Sequence, residues 1–283
     1  MTKKVILAIF SAFIIYVSFY FIIPDVSKLK KENPKKTSFM KYREREWQET
    51  GRQIRIRQQW VPLVRISPYL IKAVIIAEDD KFWSHEGFDF EAMQKAMEKD
   101  LKARKFRIGG STISQQLAKN IYLTPAKNPL RKMKEAILTW RIERSLSKKR
   151  IIELYLNVVE WGEGIFGIEA AARYYYGKPA SALGPEEAAR LAVVLPNPRK
   201  FNPLGNSRYV AKRAGIIHNI MINRGIIIPA FEEVMAPETG NEIRDTEEIS
   251  QESKGEQAAP PSSFDPSKGV KEEDKSGKVT NDE

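Results

Sequence analysis

The 283-residue chain contains no cysteine and only two histidines. The first absence excludes disulfides, thiolate zinc sites, iron–sulfur clusters and a cysteine nucleophile. The second leaves little from which to build a His-rich metal centre. Acidic residues are outnumbered, with 36 Asp and Glu against 47 Lys and Arg and a formal net charge of +11. The imbalance is uneven along the chain. Residues Glu238 to Glu283 hold 13 acidic and 6 basic groups, so residues 1–237 hold 23 acidic and 41 basic ones, a net of +18. A body this basic calls for anionic partners: nucleic acid, an acidic membrane surface or a phosphorylated substrate. Hydrophobic residues at 42% and charged ones at 29% exclude wholesale disorder.

Charge is missing altogether from Val5 to Ile23, directly after Lys3 and Lys4. As a helix that stretch would rise about 28 Å, close to the hydrocarbon thickness of a bilayer. A cleaved signal peptide would share the Lys-rich start, but the apolar run is long for one and no A-x-A-like site follows. The division this predicts is a cytoplasmic N-terminus at 1–4, a transmembrane anchor at 5–23 and a polar membrane-proximal connector at 24–58. A globular domain at 59–236 and an acidic, disordered tail at 237–283 follow. Lys28, Lys30, Lys31, Lys35 and Lys36 come after the apolar run, so the positive-inside rule does not fix the orientation. Ser67-Pro68 reads as an N-cap followed by Pro at the first helical position. From there to about Gly225 helix follows helix with almost no period-2 alternation, so the fold class is mainly α.

Three segments have residues suited to chemistry. In Glu78-Asp79-Asp80-Lys81-Phe82-Trp83-Ser84-His85-Glu86-Gly87 a carboxylate cluster ends an apolar helix. Desolvation there would raise a carboxyl pKa, as a general acid or base requires; a solvated helix end with a cap-and-turn His fits the same residues. Gly109-Gly110-Ser111-Thr112-Ile113-Ser114-Gln115-Gln116-Leu117-Ala118-Lys119-Asn120 frees the backbone, caps a helix, and sets Thr112, Gln116 and Lys119 on one face. Such a helix start can cradle phosphate, although it is not a P-loop, and a capped amphipathic helix is the plainer alternative. In Pro129 to Trp140, Arg131 and Lys132 lie at helical spacing from Glu135, either as a charge-holding site or as a surface ion pair. Lys149 to Asn157 reads as structural, and His218 as packed. The run Lys95, Lys99, Lys102, Arg104, Lys105, Arg107 reads as a solvated face that would also attract a polyanion.

Taken in order, these segments resemble the peptidoglycan glycosyltransferases of glycosyltransferase family 51. The resemblance runs from about Val74 to Pro203. It rests on E-D-x-x-F-x-x-H-x-G at Glu78–Gly87, G-G-S-T-I-S-Q-Q-L-A-K-N at Gly109–Asn120, R-K-x-x-E at Arg131–Glu135 and K-x-x-I-x-E-x-Y-L-N ending at Asn157. Gly167 to Ala172 and Leu195 to Pro198 add to it, and Ser114 replaces a Thr common in the family. The resemblance implies a lysozyme-like, two-lobed fold held at the outer face of a bacterial cytoplasmic membrane. It implies polymerisation of lipid II into β-1,4 glycan strands by inverting displacement, with release of undecaprenyl pyrophosphate. Glu78 would then be the general base, and Glu135 with Arg131 and Lys132 would manage charge on the donor side. Ser111, Thr112, Gln115, Gln116, Lys119 and Asn120 would line the donor site, with Asp79, Phe82, His85 and Gly110 also at the substrate. The partners implied are lipid II, the growing glycan chain, the membrane and other cell-wall synthesis or division proteins, with no nucleic acid. A divalent cation (Mg or Mn) on the pyrophosphate is compatible with this chemistry, but no metal-ligand cluster demands one.

Many relatives add a transpeptidase domain. The 80 residues after Pro203 are too few for one, and Ser145-Leu146-Ser147-Lys148 is an S-x-x-K match without its partner motifs. A monofunctional enzyme is therefore expected. A lytic transglycosylase or muramidase would also use one Glu but needs no phosphate-binding apparatus, and a non-enzymatic scaffold would not need the carboxylates and cations.

Overall fold

The computed structural model describes residues 2–103, 110–125 and 128–227. The chain divides into two units, Met1–Val234 and Met235–Glu283, and the described residues lie in the first. The expected tail at 237–283 lies outside the described residues, as do Gly109, Arg104, Lys105, Arg107 and the side chains of Lys99 and Lys102. Among the described residues the first unit is mainly helical: α1 (Thr2–Phe19), α2 (Ser38–Glu49), α3 (Pro68–Glu78), α4 (Phe90–Ala103), α5 (Ile113–Tyr122), α6 (Pro129–Ser145), α7 (Lys148–Val158), α8 (Ile168–Tyr176), α9 (Pro185–Val194) and α10 (Arg208–Asn223). Three short strands, β1 (Arg57–Gln58), β2 (Glu160–Gly162) and β3 (Ile165–Phe166), form a sheet in the order β1-β3-β2.

Helix α3 is apolar on nearly every side because it is enclosed. Leu70, Ala73, Val74 and Ile75 are buried, and the helix packs on α9 and α10, whose Leu191, Ala192, Val210, Ile217 and Met221 are buried too. Each fully buried Leu or Ile of this kind contributes about 1.5–3 kcal/mol. Pro68 occupies the first turn, where a missing N–H costs nothing. Ser67 takes the N-cap position, but its hydroxyl donates to the Leu183 carbonyl (2.7 Å) instead of capping, tying α3 to the loop before α9. A second group of helices joins α5 to α6 and α7 through Ile113, Leu117, Leu138, Ile142, Ile151 and Ile152. The two groups share one continuous core.

Residues 24–58, read from sequence as a polar connector, are part of this body. Val26 and Leu29 enter the main core, and Met40 and Trp47 bury themselves against Phe166 of β3. Strand β1 pairs in parallel with β3, Arg57 opposite Ile165 and Gln58 opposite Phe166. The buried side chain of Asn157 accepts from the Val61 N–H and donates to the Val61 carbonyl, both at 2.9 Å, fixing the chain that follows β1. Much of the polar composition that suggested a linker faces outward on α2, while Arg43, mostly covered, reaches in to the buried Glu160 at 2.8 Å.

The N-terminal helix also differs from expectation. It begins at Thr2, includes Lys3 and Lys4, and ends at Phe19 rather than Ile23. Tyr20 to Ile23 leave the helix as turns because Arg141 of α6 takes the carbonyls of Tyr20 (3.0 Å) and Ile22 (2.8 Å), and Phe21 packs edge-on against Trp140. Among the described residues no helix is long and apolar enough to cross a membrane.

Trp47→Ala separates a packed segment from a linker. Loss of this buried indole is expected to reduce unfolding free energy by about 3–5 kcal/mol in denaturant titration, whereas a linker residue would change it by about 0.5 kcal/mol or less.

Candidate active site

Glu78 is the last residue of α3, at the negative end of the helix. The chain then turns sharply, held by the buried side chain of Asp79. One Asp79 oxygen accepts from the backbone N–H of Ile113 (2.9 Å) at the start of α5, and the other meets His85 Nε2 (2.8 Å). His85 Nδ1 accepts from the Gly87 N–H (3.0 Å), so the Nε2 hydrogen is the one directed at Asp79. Gly87 has φ +92° and lies so close to α6 that a Cβ would come within 2.8 Å of Glu143 Cγ, so no other residue fits without strain. Its carbonyl accepts from the Thr112 hydroxyl (2.7 Å). The motif after Glu78 therefore acts as a clamp, fixing the end of α3 to the beginning of α5.

Helix α5 opens with a capping box, in which Thr112 Oγ1 accepts from the Gln115 N–H (3.2 Å) and Gln115 Oε1 accepts from the Thr112 N–H (3.0 Å). This helix start turns Gln116 and Lys119 toward the carboxylates. Gln116 Nε2 donates to Glu78 Oε2 (2.7 Å), and the Tyr155 hydroxyl donates to Gln116 Oε1 (3.0 Å). Burial pushes the Glu78 carboxyl above its ordinary range, opposed in part by the Gln116 hydrogen bond and by the charges of Lys119 and Arg213. Burial also lowers the Lys119 pKa, while the carboxylates of Glu135 and Glu78 act to raise it. On its other side Glu78 borders a cavity of about 170 Å³ that Tyr209, Arg213 and Pro196 also line.

Glu135 is buried on α6 and held by Arg131 (2.5 Å) and Lys132. The Lys132 ammonium also approaches Ser111 Oγ at 3.4 Å, which joins α6 to the loop before α5. Glu78 and Glu135 are thus accompanied by Lys119, Arg131, Lys132 and Arg213, an excess of positive charge suited to an anionic ligand. Arg131 also faces a larger cavity of about 430 Å³, whose walls include Tyr20, Tyr122, Leu123 and Lys134. Among the described residues no group of three or more His, Asp or Glu is placed to hold a metal ion. The groups around Glu135 are cations, which repel a metal rather than ligate it, so these residues do not fit Mg or Mn.

The structure brings together most of the residues singled out from the sequence, but divides them by task. Glu78, Glu135, Arg131, Lys132, Ser111, Gln116 and Lys119 form the polar cluster. Thr112, Gln115 and Asn120 are buried in helix capping and internal hydrogen bonds, with Asn120 Nδ2 donating to the Gln116 carbonyl (2.8 Å). Phe82 is fully enclosed beneath Trp83 and the Lys148 ammonium. The side chains of Thr112, Gln115, Asn120, Asp79 and Phe82, for which the resemblance implies substrate contact, face inward in this structure and support the cluster. Gly110 packs against α4, and His85 belongs to the clamp. Lys148 of the chance S-x-x-K pairs with Glu143 (2.8 Å). Lys95 pairs with Glu91 on the exposed face of α4, and His218 is half-buried on α10. Sequence reasoning missed Tyr155, Tyr209 and Arg213. Tyr155 sat in a segment read as structural, and α10 has no motif to signal its two.

Comparison with known proteins agrees with this geometry. Residues 45–222 match the family model described as Transglycosylase. Proteins named "Biosynthetic peptidoglycan transglycosylase" are similar over most of their length. The one from Dechloromonas aromatica (strain RCB) is 54% identical over 185 residues, 65% of this chain and 80% of the relative. That from Azoarcus sp. (strain BH72) is 52% identical over 198 residues, covering 70% and 85%. That from Aromatoleum aromaticum (strain DSM 19018 / LMG 30748 / EbN1) is 50% identical over 208 residues, covering 74% and 90%. The chain belongs to the transglycosylase family. It is a glycosyltransferase enzyme of peptidoglycan synthesis.

A raised carboxyl pKa has a consequence for stability. The native state holds the Glu78 proton to higher pH than the unfolded chain does, so stability falls as pH rises from the ordinary carboxylate range through the raised value. Glu78→Gln removes that loss. Thermal denaturation should find the variant more stable than wild type at neutral pH, with the difference vanishing at acid pH; equal pH dependence of the two proteins would show that Glu78 is not desolvated.

Proposed function

We propose that the protein polymerises lipid II into β-1,4 glycan strands, with Glu78 as general base. The observation that supports this most strongly is the pairing of one desolvated carboxylate with a cationic wall made by Lys119, Arg131 and Lys132. Glu78 would take the proton from the 4-hydroxyl of the acceptor sugar. The hydroxyl oxygen attacks the anomeric carbon of the donor as the bond from that carbon to the pyrophosphate oxygen breaks. The electron pair departs with undecaprenyl pyrophosphate, and the configuration inverts. The leaving group is already good, so the enzyme needs mainly to position, deprotonate and neutralise charge. Glu135 keeps Arg131 and Lys132 oriented for that task. In this reading the α3–α9–α10 and α5–α6–α7 groups serve as the two lobes beside the substrate. A lytic enzyme acting on finished glycan would have no use for the cationic wall.

The proposal includes a single-pass anchor in the cytoplasmic membrane with the catalytic part on its outer face. It is supported by the uncharged run from Val5 to Ile23 and by the exposed apolar side chains of α1, among them Ile6, Leu7, Ile9 and Ile15. The proposal assigns no transpeptidase activity, on the ground that the penicillin-binding motifs are not assembled. Lipid II, the growing strand and other cell-wall synthesis or division proteins remain the proposed partners.

The test is incubation of the detergent-solubilised full chain with labelled lipid II, followed by separation of glycan polymer. Wild type should form polymer, and Glu78→Gln should be slower by about 10²–10⁴-fold. Cleavage of preformed strands without polymerisation, or full activity in the variant, would overturn the proposal.

A further inference from the structure

Among the described residues Gln116 is the one side chain that hydrogen-bonds Glu78. The family resemblance makes it a ligand of the donor. Its surroundings assign it otherwise. The Tyr155 hydroxyl donates to Gln116 Oε1 at 3.0 Å, which leaves the amide NH₂ only one direction, toward Glu78 Oε2 at 2.7 Å and the Ser111 carbonyl at 3.4 Å. Rotating the amide would set its oxygen against the ionised carboxylate, exchanging a short hydrogen bond for a repulsive contact, and would turn the phenol from donor to acceptor. Tyr155 is fully buried in α7, and its ring has no other place to go.

We propose that Tyr155 and Gln116 are positioning residues for the base: the phenol locks the amide, and the amide holds the Glu78 carboxylate ionised and correctly aimed. This rests on the reading of Glu78 as general base. Tyr155 suits the task because burial and the neighbouring charges of Glu78 and Asp79 push its pKa well up, so it keeps the hydrogen that it donates to Gln116 Oε1. The amide donates, and a donor stabilises the ionised carboxylate against the burial that disfavours it. The other charged groups around Glu78 are Lys119 from α5, Arg213 from α10 and Asp79 next in the chain, while α9 presents Ala192 and Val193 to the same cavity. All of these persist when Tyr155 or Gln116 is changed, so their contribution stays constant in the comparison.

The experiment uses the full chain in detergent, with rates of lipid II polymerisation measured across pH for wild type, Tyr155→Phe, Gln116→Met and the double variant. Removing the hydroxyl frees the amide to turn, and Glu78 then retains its proton to higher pH. The acidic limb of kcat should move to higher pH in both single variants, with kcat at the acid end falling about tenfold and KM for lipid II staying within about twofold. The double variant should shift no further than Gln116→Met, because the two residues act in series. An acidic limb unchanged in both single variants overturns the proposal, as does a rise in KM without movement of that limb, which would make Gln116 a substrate ligand. If Tyr155→Phe fails to fold, Gln116→Met, at a half-exposed position, decides alone. Failure of wild type to polymerise at all, or an unaffected Glu78→Gln, would count against the base assignment rather than against this relay.

Discussion

Placing a carboxylate at the negative end of a buried helix is unfavourable, and the environment of Glu78 is arranged around that constraint. Desolvation and the helix terminus both favour the neutral acid. Gln116, Lys119 and Arg213 oppose them without forming a tight ion pair with it, so the proton affinity is raised rather than abolished. Glu135, on α6, is the contrasting case. It is more fully buried than Glu78, but Arg131 and Lys132 hold it directly. Two glutamates in one site thus have different partners: a neutral amide donates to one, and two cations hold the other.

The precision of that arrangement comes from the backbone beneath it. Asp79 ties the end of α3 to the first N–H of α5, and the Thr112 hydroxyl ties α5 to Gly87. These bonds are buried and mutually dependent, so removing one leaves an unpaired polar group, typically about 1–3 kcal/mol. The same logic extends outward. Asn157 and Glu153 of α7 hold the backbone at Val61 and Leu63, and Glu169 of α8 accepts from the Ala180 N–H (2.8 Å). Polar residues at these core positions join segments of chain that are distant in sequence.

Much of this was legible in the sequence, because motif spacing and helical periodicity are local. Gln116 and Lys119 share a face by their separation alone, and that face meets the carboxylates. The capping role of Thr112 was legible, but the burial of Gln115 was not. A capping box and a ligand-binding face use the same hydroxyl and amide residues, and only packing separates them. Residues 24–58 misled for a similar reason. The α2 sequence is polar on most sides, and its two large buried residues, Met40 and Trp47, find their partner in Phe166, more than a hundred positions away. The end of α1 depends on Arg141, equally distant in sequence. Tyr155 lay within a recognised segment, yet its partner is a side chain on another helix. Contacts distant in sequence leave no periodic trace.

The central claim is that Glu78 holds its proton above the ordinary carboxylate range. NMR titration of protein labelled with ¹³C at the glutamate side-chain carboxyls, with Glu78→Gln to assign the resonance, tests it directly. The account predicts one resonance, absent from the variant, that titrates above the exposed glutamates. A Glu78 resonance titrating with them would contradict it.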